Sequence, residues 1–167
     1  MTRPPWPPIA RTRTSPVTSR WDAPFPLGAA VAFVEGLAGR DPGAEGWFQY
    51  AVERRDDGTL VGDVGVNRHD AGRQAEIGFT LAPAWQGRGY GTEAVRRIVT
   101  HLLVTDGLHR VHASLDARNA RSARLLERCG FRREGLELCS CWWKGEWTDE
   151  LRYAVLASEW SRSPEPA

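Results

Sequence analysis

The spacing of apolar residues along the chain predicts three helices and six strands. Apolar residues recur three and four positions apart in the helical segments, and they alternate with polar residues or cluster with β-branched and aromatic ones in the strands. The predicted helices span residues 27–37, 92–104 and 119–129, and the predicted strands span residues 47–53, 59–66, 75–81, 110–115, 131–138 and 150–156. Because the strand at 110–115 follows a strand and a helix, it should lie parallel to the earlier strand. The sequence therefore predicts an α/β fold in three layers, with a mixed central sheet and helices on both faces.

The distribution of turn-forming residues indicates one domain with an irregular segment at each end. Residues 1–20 contain five prolines among Arg, Thr and Ser and have no periodic pattern, so we expect an irregular arm there. Residues 21–160 are expected to form a single domain, because a chain of 167 residues suits one hydrophobic core. Residues 161–167 are expected to be a tail, and residues 142–147 form a Trp-rich connection between the last two strands.

The composition excludes several classes of partner. Lys and Arg number 22 against 21 Asp and Glu, so the chain lacks the broad basic field that a nucleic-acid backbone requires. The apolar runs are too short to cross a bilayer, and the first residues lack the pattern of a signal peptide. We expect a cytoplasmic protein with no nucleic-acid or membrane partner. No metal is expected either, since the four histidines show no ligand or triad spacing and are interpreted as structural. These are His69, His101, His109 and His112.

A glycine-rich stretch, Gln86-Gly87-Arg88-Gly89-Tyr90-Gly91-Thr92, lies between a predicted strand and the long amphipathic helix. Glycines at alternate positions let a backbone approach an anion closely, and the first turn of a helix adds unpaired amides and the positive end of its dipole. A mononucleotide-binding loop would need Lys after its last glycine, and a dinucleotide fingerprint would need its third glycine one position later. The stretch is therefore predicted to bind the phosphates of another kind of ligand.

This stretch meets the pattern Gln/Arg-x-x-Gly-x-Gly/Ala, and Asn119 and Cys129-Gly130-Phe131 follow at suitable distances. The segments AEIGFTLAPAWQGRGYGTEA and NARSARLLERCGF, in this order, resemble the GNAT superfamily of acetyl-coenzyme A dependent N-acetyltransferases. They are most similar to its RimJ/RimL-type branch, the ribosomal-protein-alanine acetyltransferases. The resemblance covers residues 21–160 and implies acetyl-coenzyme A (acetyl-CoA) as the cofactor.

The resemblance also implies where the coenzyme would bind. Backbone amides of the glycine-rich stretch would hold its pyrophosphate, the strand edge after Gly78 would pair with its pantetheine arm, and two arginines would reach its adenosine phosphates. Asn119 matches the family's pantetheine contact, although a plain helix cap explains it equally well. The predicted cofactor-binding residues are Phe79, Thr80, Leu81, Gln86, Gly87, Arg88, Gly89, Tyr90, Gly91, Thr92, Asn119 and Arg124.

Acetyl transfer requires a neutral amine, so the reaction needs a base that removes a proton from the acceptor. The resemblance implies Glu76, on the predicted pantetheine strand, as that base. Many family members place a tyrosine in the helix after Asn119 to protonate the departing thiolate, but this chain has Leu126 there. Ser122 matches the RimJ/RimL pattern and is the predicted catalytic alternative, while backbone N–H groups near Thr80 are predicted to polarise the thioester carbonyl.

The acceptor is less defined than the donor. The predicted substrate-binding residues match two loops that border the acceptor pocket in this family: Trp21, Asp22, Phe25, Trp143, Trp147 and Asp149. Aromatic rings with carboxylates suit a cationic amine, either a protein N-terminal α-amine or a small-molecule amine, although tryptophans in a hairpin also serve ordinary packing.

Two departures from the family pattern leave alternatives open. Family members normally begin with a strand and a helix before the loop at Trp21, and residues 1–20 show no such first strand. Either the start is truncated or something else covers the sheet edge, as a second subunit of a homodimer would. Together with the missing tyrosine, this also leaves open a coenzyme A-binding module with little or no catalysis.

Overall fold

The computed structural model describes residues 27–160, which contain a single six-stranded sheet and four helices. The strands are β1 (Gly46–Glu53), β2 (Leu60–His69), β3 (Gln74–Leu81), β4 (Arg110–Asp116), β5 (Arg132–Trp143) and β6 (Glu146–Leu156). The helices are α1 (Leu27–Leu37), α2 (Tyr90–Thr100), α3 (Ala120–Arg128) and the four-residue α4 (Ala157–Trp160). A 3₁₀ turn at Pro83–Trp85 precedes α2, and a π-helical turn at His101–Thr105 extends it.

The sheet is mixed, in the order β1-β2-β3-β4-β6-β5. All neighbouring strands are antiparallel except β3 and β4, which are parallel and joined through α2. This arrangement confirms the predicted strand–helix–strand unit and the predicted mixed sheet. It also places the glycine-rich stretch at the end of β3, in the connection that leads into α2.

The hydrophobic core lies between one face of the sheet and the helices α2 and α3. Along β3 and β4 every second side chain enters this core, as Ala75, Ile77 and Val111 show. Val95 and Val99 of α2 are also completely buried, as the helical periodicity predicts. Burial of each such side chain contributes about 1.5–3 kcal/mol, so this face holds β3, β4 and α2 in fixed relative positions.

The opposite face of the sheet is polar. Glu76 and His112 alternate with the core residues of β3 and β4, and their side chains therefore project away from α2 and α3. The helix α1 forms where periodicity predicts it, but its Val31, Phe33 and Val34 remain more than one-third exposed.

The last two strands differ from the prediction, because the Trp-rich segment at residues 142–147 is part of the β5–β6 hairpin rather than a connection. Trp142 pairs with Trp147 and Trp143 with Glu146, and only Lys144 and Gly145 form the turn. Both turn residues have positive φ, 48° and 85°, which suits the twist of a two-residue hairpin. The predicted domain ends, residues 1–20 and 161–167, lie outside the described residues.

A tight contact between β2 and β3 gives a test of this register. A Cβ added at Gly62 would lie 2.2 Å from the backbone O of Thr80, so Gly62→Ala would force the two strands apart. We expect the free energy of unfolding to fall by about 2 kcal/mol, measured by urea denaturation. Gly78→Ala is the matched control, since a Cβ there meets no atom within 4 Å. Equal stability of the two variants would contradict the register.

Candidate active site

The glycine-rich stretch bends through two residues in the left-handed region. Gly87 and Gly89 have φ of 74° and 90°, a conformation that favours glycine. Gly91 has a different task, because it is already inside α2 and is buried. A Cβ added there would lie 2.8 Å from Leu125 Cδ1 and 3.0 Å from Leu81 Cδ1. Gly91 therefore lets the start of α2 pack closely against α3 and β3.

Six consecutive backbone amides in this stretch are free to bind a ligand. Within residues 27–160, the N–H groups of residues 87–92 donate to no protein acceptor, whereas the amide of Glu93 begins the helical ladder by donating to Gly89 O at 3.0 Å. The Gln86 amide instead donates to Pro83 O at 3.3 Å, and its side chain donates to Leu81 O at 3.0 Å. The result is a loop tied to β3, with its free amides and the positive end of α2 at one place.

The same end of the sheet contains an open gap. The parallel ladder of β3 and β4 has only three pairs and ends at Glu76–His112. Beyond this pair, residues 77–81 of β3 keep their ladder with β2, and β4 keeps its ladder with β6. The edges of β3 and β4 that face each other are therefore unpaired past this point. Backbone groups on such an edge can bond an extended ligand as if it were another strand.

The start of α3 carries the next group of predicted residues. Asn119 Oδ1 accepts a hydrogen bond from the Ser122 amide at 3.1 Å, so Asn119 does cap this helix. Ser122 is half-buried in the first turn, and Arg124 is exposed on the outer side of α3. Leu126 is completely buried and serves the core.

Arg88 is the other predicted phosphate ligand, and it is held by an aromatic contact. Its guanidinium lies 5.1 Å from the ring centroid of Trp85, while Arg54 lies 4.9 Å from the same ring. Trp85 in turn meets the ring of Tyr90 edge to face at 5.8 Å. Arg88 thus adds a positive charge beside the amide-rich loop, whereas ion pairs with two aspartates of the following turn offset the charge of Arg54.

Two histidines that were predicted to be structural, His69 and His112, meet beside Glu76. Glu76 and His112 form the last pair of the parallel ladder, at the vertex where β3 and β4 separate. His69 Nε2 lies 2.9 Å from His112 Nε2, although 43 residues separate them in the chain. Burial lowers the pKa of His112 below its usual range, and the negative charge of Glu76 opposes this shift. The spacing of residues along the sequence does not indicate this contact, because the two histidines lie on different strands, β2 and β4.

Asp63 is a second carboxyl group on the polar face, and the sequence patterns do not indicate it. Asp63 of β2 accepts a hydrogen bond from Gln49 Nε2 at 2.9 Å, and burial raises its pKa to about 6. Gly65 makes room for this contact, because a Cβ there would lie 2.3 Å from Gln49 Oε1. Asp63 is paired with Thr80 across the β2–β3 ladder, which places it behind the open edge of β3.

The predicted substrate-binding residues do not all lie together in the structure. Trp147 and Asp149 line a small groove of about 170 Å³, and the Asp149 carboxylate accepts a hydrogen bond from the Cys139 amide at 2.8 Å. Trp143 projects from the other face of the hairpin, because it neighbours Trp142, the cross-strand partner of Trp147. The remaining three, Trp21, Asp22 and Phe25, lie outside the described residues.

Comparison with known proteins assigns the family. The model of the acetyltransferase (GNAT) domain matches residues 3–132. The chain therefore belongs to the GNAT acetyltransferase family, as the glycine-rich stretch and the Asn119 segment predict.

Curated relatives support the same assignment. The uncharacterized N-acetyltransferase YnaD of Bacillus subtilis is 34% identical over 114 residues, which cover 68% of this chain and 66% of YnaD. The [ribosomal protein uS5]-alanine N-acetyltransferase of Escherichia coli is 31% identical over 85 residues, which cover 51% of this chain and 44% of that enzyme. The matched segments thus span two thirds or less of these relatives.

Solved structures show the same fold. A GNAT-family acetyltransferase from Bacillus anthracis has a TM-score of 0.73 at 28% identity, covering 82% of this chain and 78% of that one. A spermidine N-acetyltransferase from Vibrio cholerae, solved with CoA and spermine, has a TM-score of 0.71 at 22% identity, covering 84% and 82%. Within residues 27–160, no helix has the length and apolar character needed to cross a membrane.

The raised pKa of Asp63 predicts a pH-dependent stability. Between the unfolded value of 3.8 and about 6, the folded chain binds more protons at Asp63 than the unfolded chain does. The contribution of Asp63 to the free energy of unfolding should therefore fall as pH rises through this window and stay level above it. Asp63→Asn should remove this slope and stabilise the protein by about 2 kcal/mol at pH 7.5. Urea denaturation from pH 4 to pH 8 measures both effects, and an unchanged slope would contradict the assignment.

Proposed function

We propose that this protein transfers an acetyl group from acetyl-CoA to a primary amine, by direct attack within a ternary complex. The observation that carries the proposal is the row of six free amides, residues 87–92, beside the unpaired edge of β3. Coenzyme A has a pyrophosphate followed by a pantetheine arm with two amide groups. The free amides suit the pyrophosphate, and the adjoining strand edge suits the arm. Membership of the GNAT family supports the same donor.

Each group of residues has a defined role in the proposal. The amides of residues 87–92 bind the pyrophosphate, and the backbone of Phe79 to Leu81 pairs with the pantetheine arm. Arg88 and Arg124 face the adenosine phosphates, and the side-chain amide of Asn119 meets the pantetheine while its oxygen caps α3. Acetyl-CoA supplies a thioester, whose acyl group is activated toward amines.

The chemistry takes place at the vertex of β3 and β4. There Glu76 accepts a proton from the ammonium form of the acceptor, so that the neutral nitrogen can attack. The C–N bond forms as the C–S bond breaks, and Ser122 gives a proton to the leaving sulfur. The nitrogen then loses its second proton, which restores the Ser122 hydroxyl. Backbone N–H groups near Thr80 stabilise the charge on the carbonyl oxygen.

The acceptor belongs to one of two classes of primary amine. Relatives are named for an alanine of ribosomal protein uS5 and for spermidine. We propose an acceptor of one of these types, a protein N-terminal α-amine or a small-molecule amine. Trp147 and Asp149 offer it an aromatic ring and a carboxylate on one groove, and a screen of both amine types by thiol release separates them. A homodimer is part of the proposal, since β1 lies at the edge of the sheet that residues 27–160 form, and sedimentation velocity tests it.

The amide-rich loop can be tested with a matched pair of glycines. Gly89→Ala places a Cβ on a residue with φ of 90° in open space, and Gly107→Ala does the same at φ of 72° away from the loop. Both variants should lose about 1 kcal/mol of stability from the strained backbone. Only Gly89→Ala should weaken acetyl-CoA binding, by about tenfold in calorimetry, because a loss of about 1.4 kcal/mol in binding corresponds to that factor. No binding of acetyl-CoA by the unaltered chain would overturn the proposed donor.

A second variant tests whether the site is an enzyme. Glu76→Gln should reduce turnover of the best amine by about 10²-fold or more and leave acetyl-CoA affinity within twofold. Glu53→Gln, at the exposed end of β1, is the control and should change neither quantity. Acetyl-CoA binding with no turnover of any amine between pH 6 and 9 would favour a binding module instead.

A further inference from the structure

The contact between His69 and His112 suggests a path for the proton that the reaction releases. Glu76 stands opposite His112 in the ladder, and neighbouring strands lie about 4.8 Å apart. His112 Nε2 in turn lies 2.9 Å from His69 Nε2, a hydrogen-bond distance that requires one proton between the two rings. The three side chains therefore lie in a row of neighbours on the polar face, with the two histidines of β2 and β4 meeting over β3, which carries Glu76.

The position of this row fits the proposed reaction, on which the inference rests. Its inner end, Glu76, is at the vertex where the open edge of β3 begins. Its outer end, His69, is near the end of β2, and both histidines are only half-buried. A groove of about 300 Å³ lined by His112, Arg110 and Arg152 opens on the same face. Among residues 27–160, no group of three His, Cys, Asp or Glu side chains has an arrangement suited to a metal ion.

We propose that His112 and His69 form a proton relay that carries the proton of the acceptor amine from Glu76 to solvent. Glu76 first takes the proton from the amine nitrogen, and His112 then accepts it at Nδ1. The Nε2–H of His112 passes to His69 Nε2, and His69 releases a proton to water. Acyl transfer itself needs no further reactant, since the C–N bond replaces the C–S bond. The second proton of the nitrogen replaces the one that Ser122 gives to the thiolate, so one proton in all leaves through the relay.

Exposure gives the relay its direction. Glu76 lies at the vertex in the middle of the sheet, whereas His69 is the last residue of β2 and is followed by the exposed Asp70, so a proton passed from Glu76 to His69 moves toward solvent. The surroundings of His112 are nearly balanced in charge. Glu76 faces it from β3, His69 from β2, Arg110 from β4 and Arg152 from β6. Glu134 and Glu137 neutralise these arginines, with Arg110 Nη1 3.0 Å from Glu134 Oε1 and Arg152 Nε 2.9 Å from Glu137 Oε1.

Substitution of each histidine tests the relay in the full chain. His112→Gln should lower kcat between tenfold and 10²-fold, and His69→Gln should lower it several-fold, with acetyl-CoA affinity unchanged within twofold in calorimetry. His109→Gln, at an exposed histidine just before β4, is the control and should retain full turnover. In a Glu76→Gln background, the added His112→Gln change should have little further effect, because the relay has lost its first member.

Two readouts separate proton transfer from a structural role. Added imidazole should restore turnover of His112→Ala in proportion to its free-base concentration, which a packing defect would not allow. NMR titration of the His112 ring, without any ligand, should show a lower pKa in Glu76→Gln and a higher pKa in His69→Gln, because the two neighbours act on it with opposite sign.

The outcomes distinguish the relay from the proposed function. Full turnover in His112→Gln would overturn the relay, and so would a loss of turnover in His112→Ala that imidazole does not restore. In either case, acetyl-CoA binding and turnover by the unaltered chain would still support the proposed function. If the unaltered chain binds no acetyl-CoA, the proposed function fails and the relay fails with it.

Discussion

β3 and β4 pair over only three residues before they separate, and this leaves unpaired backbone groups in the middle of the sheet. An open edge is normally a liability, because its N–H and C=O groups invite pairing with another strand. Here the two unpaired edges face each other inside the sheet, and each strand is held by the ladder with its other neighbour and by the core. The proposed donor would occupy this gap as a short additional strand.

The two faces of the sheet divide stability and chemistry between them. Val95, Val99 and Leu126 bury one face and fix the positions of β3, β4 and the start of α2. The other face has few apolar residues and carries Glu76, His112 and His69. Because side chains alternate along each strand, residues that differ by one position serve these separate purposes. A rigid support directly behind the polar face can hold reacting groups at fixed distances.

Local sequence was sufficient to predict the elements whose cause is local. The α2 periodicity, the Asn119 cap and the glycine-rich stretch each depend on neighbours within a few residues, and the structure has all three. The His69–His112 contact depends on strand register over 43 residues, which spacing alone does not reveal. The same holds for Asp63, whose raised pKa comes from burial in the folded sheet.

The C-terminal hairpin shows a different reason for error. The sequence predicts a Trp-rich connection over residues 142–147 between two shorter strands. In the structure Trp142 and Trp147 meet edge to face at 5.4 Å, and the ladder continues to the turn. Cross-strand aromatic contact stabilises such a hairpin without any burial in the core.

Gly91 joins the amide-rich loop to the interior of the domain. Its missing side chain lets α2 start against Leu125 and Leu81, so the six free amides are attached directly to close-packed atoms. Any repacking of these leucines would shift the loop, and any ligand that holds the loop would resist that repacking. Occupancy of the loop and resistance of the whole domain to heat are therefore thermodynamically linked, and a ligand that binds only the folded chain would raise its melting temperature as its concentration increases.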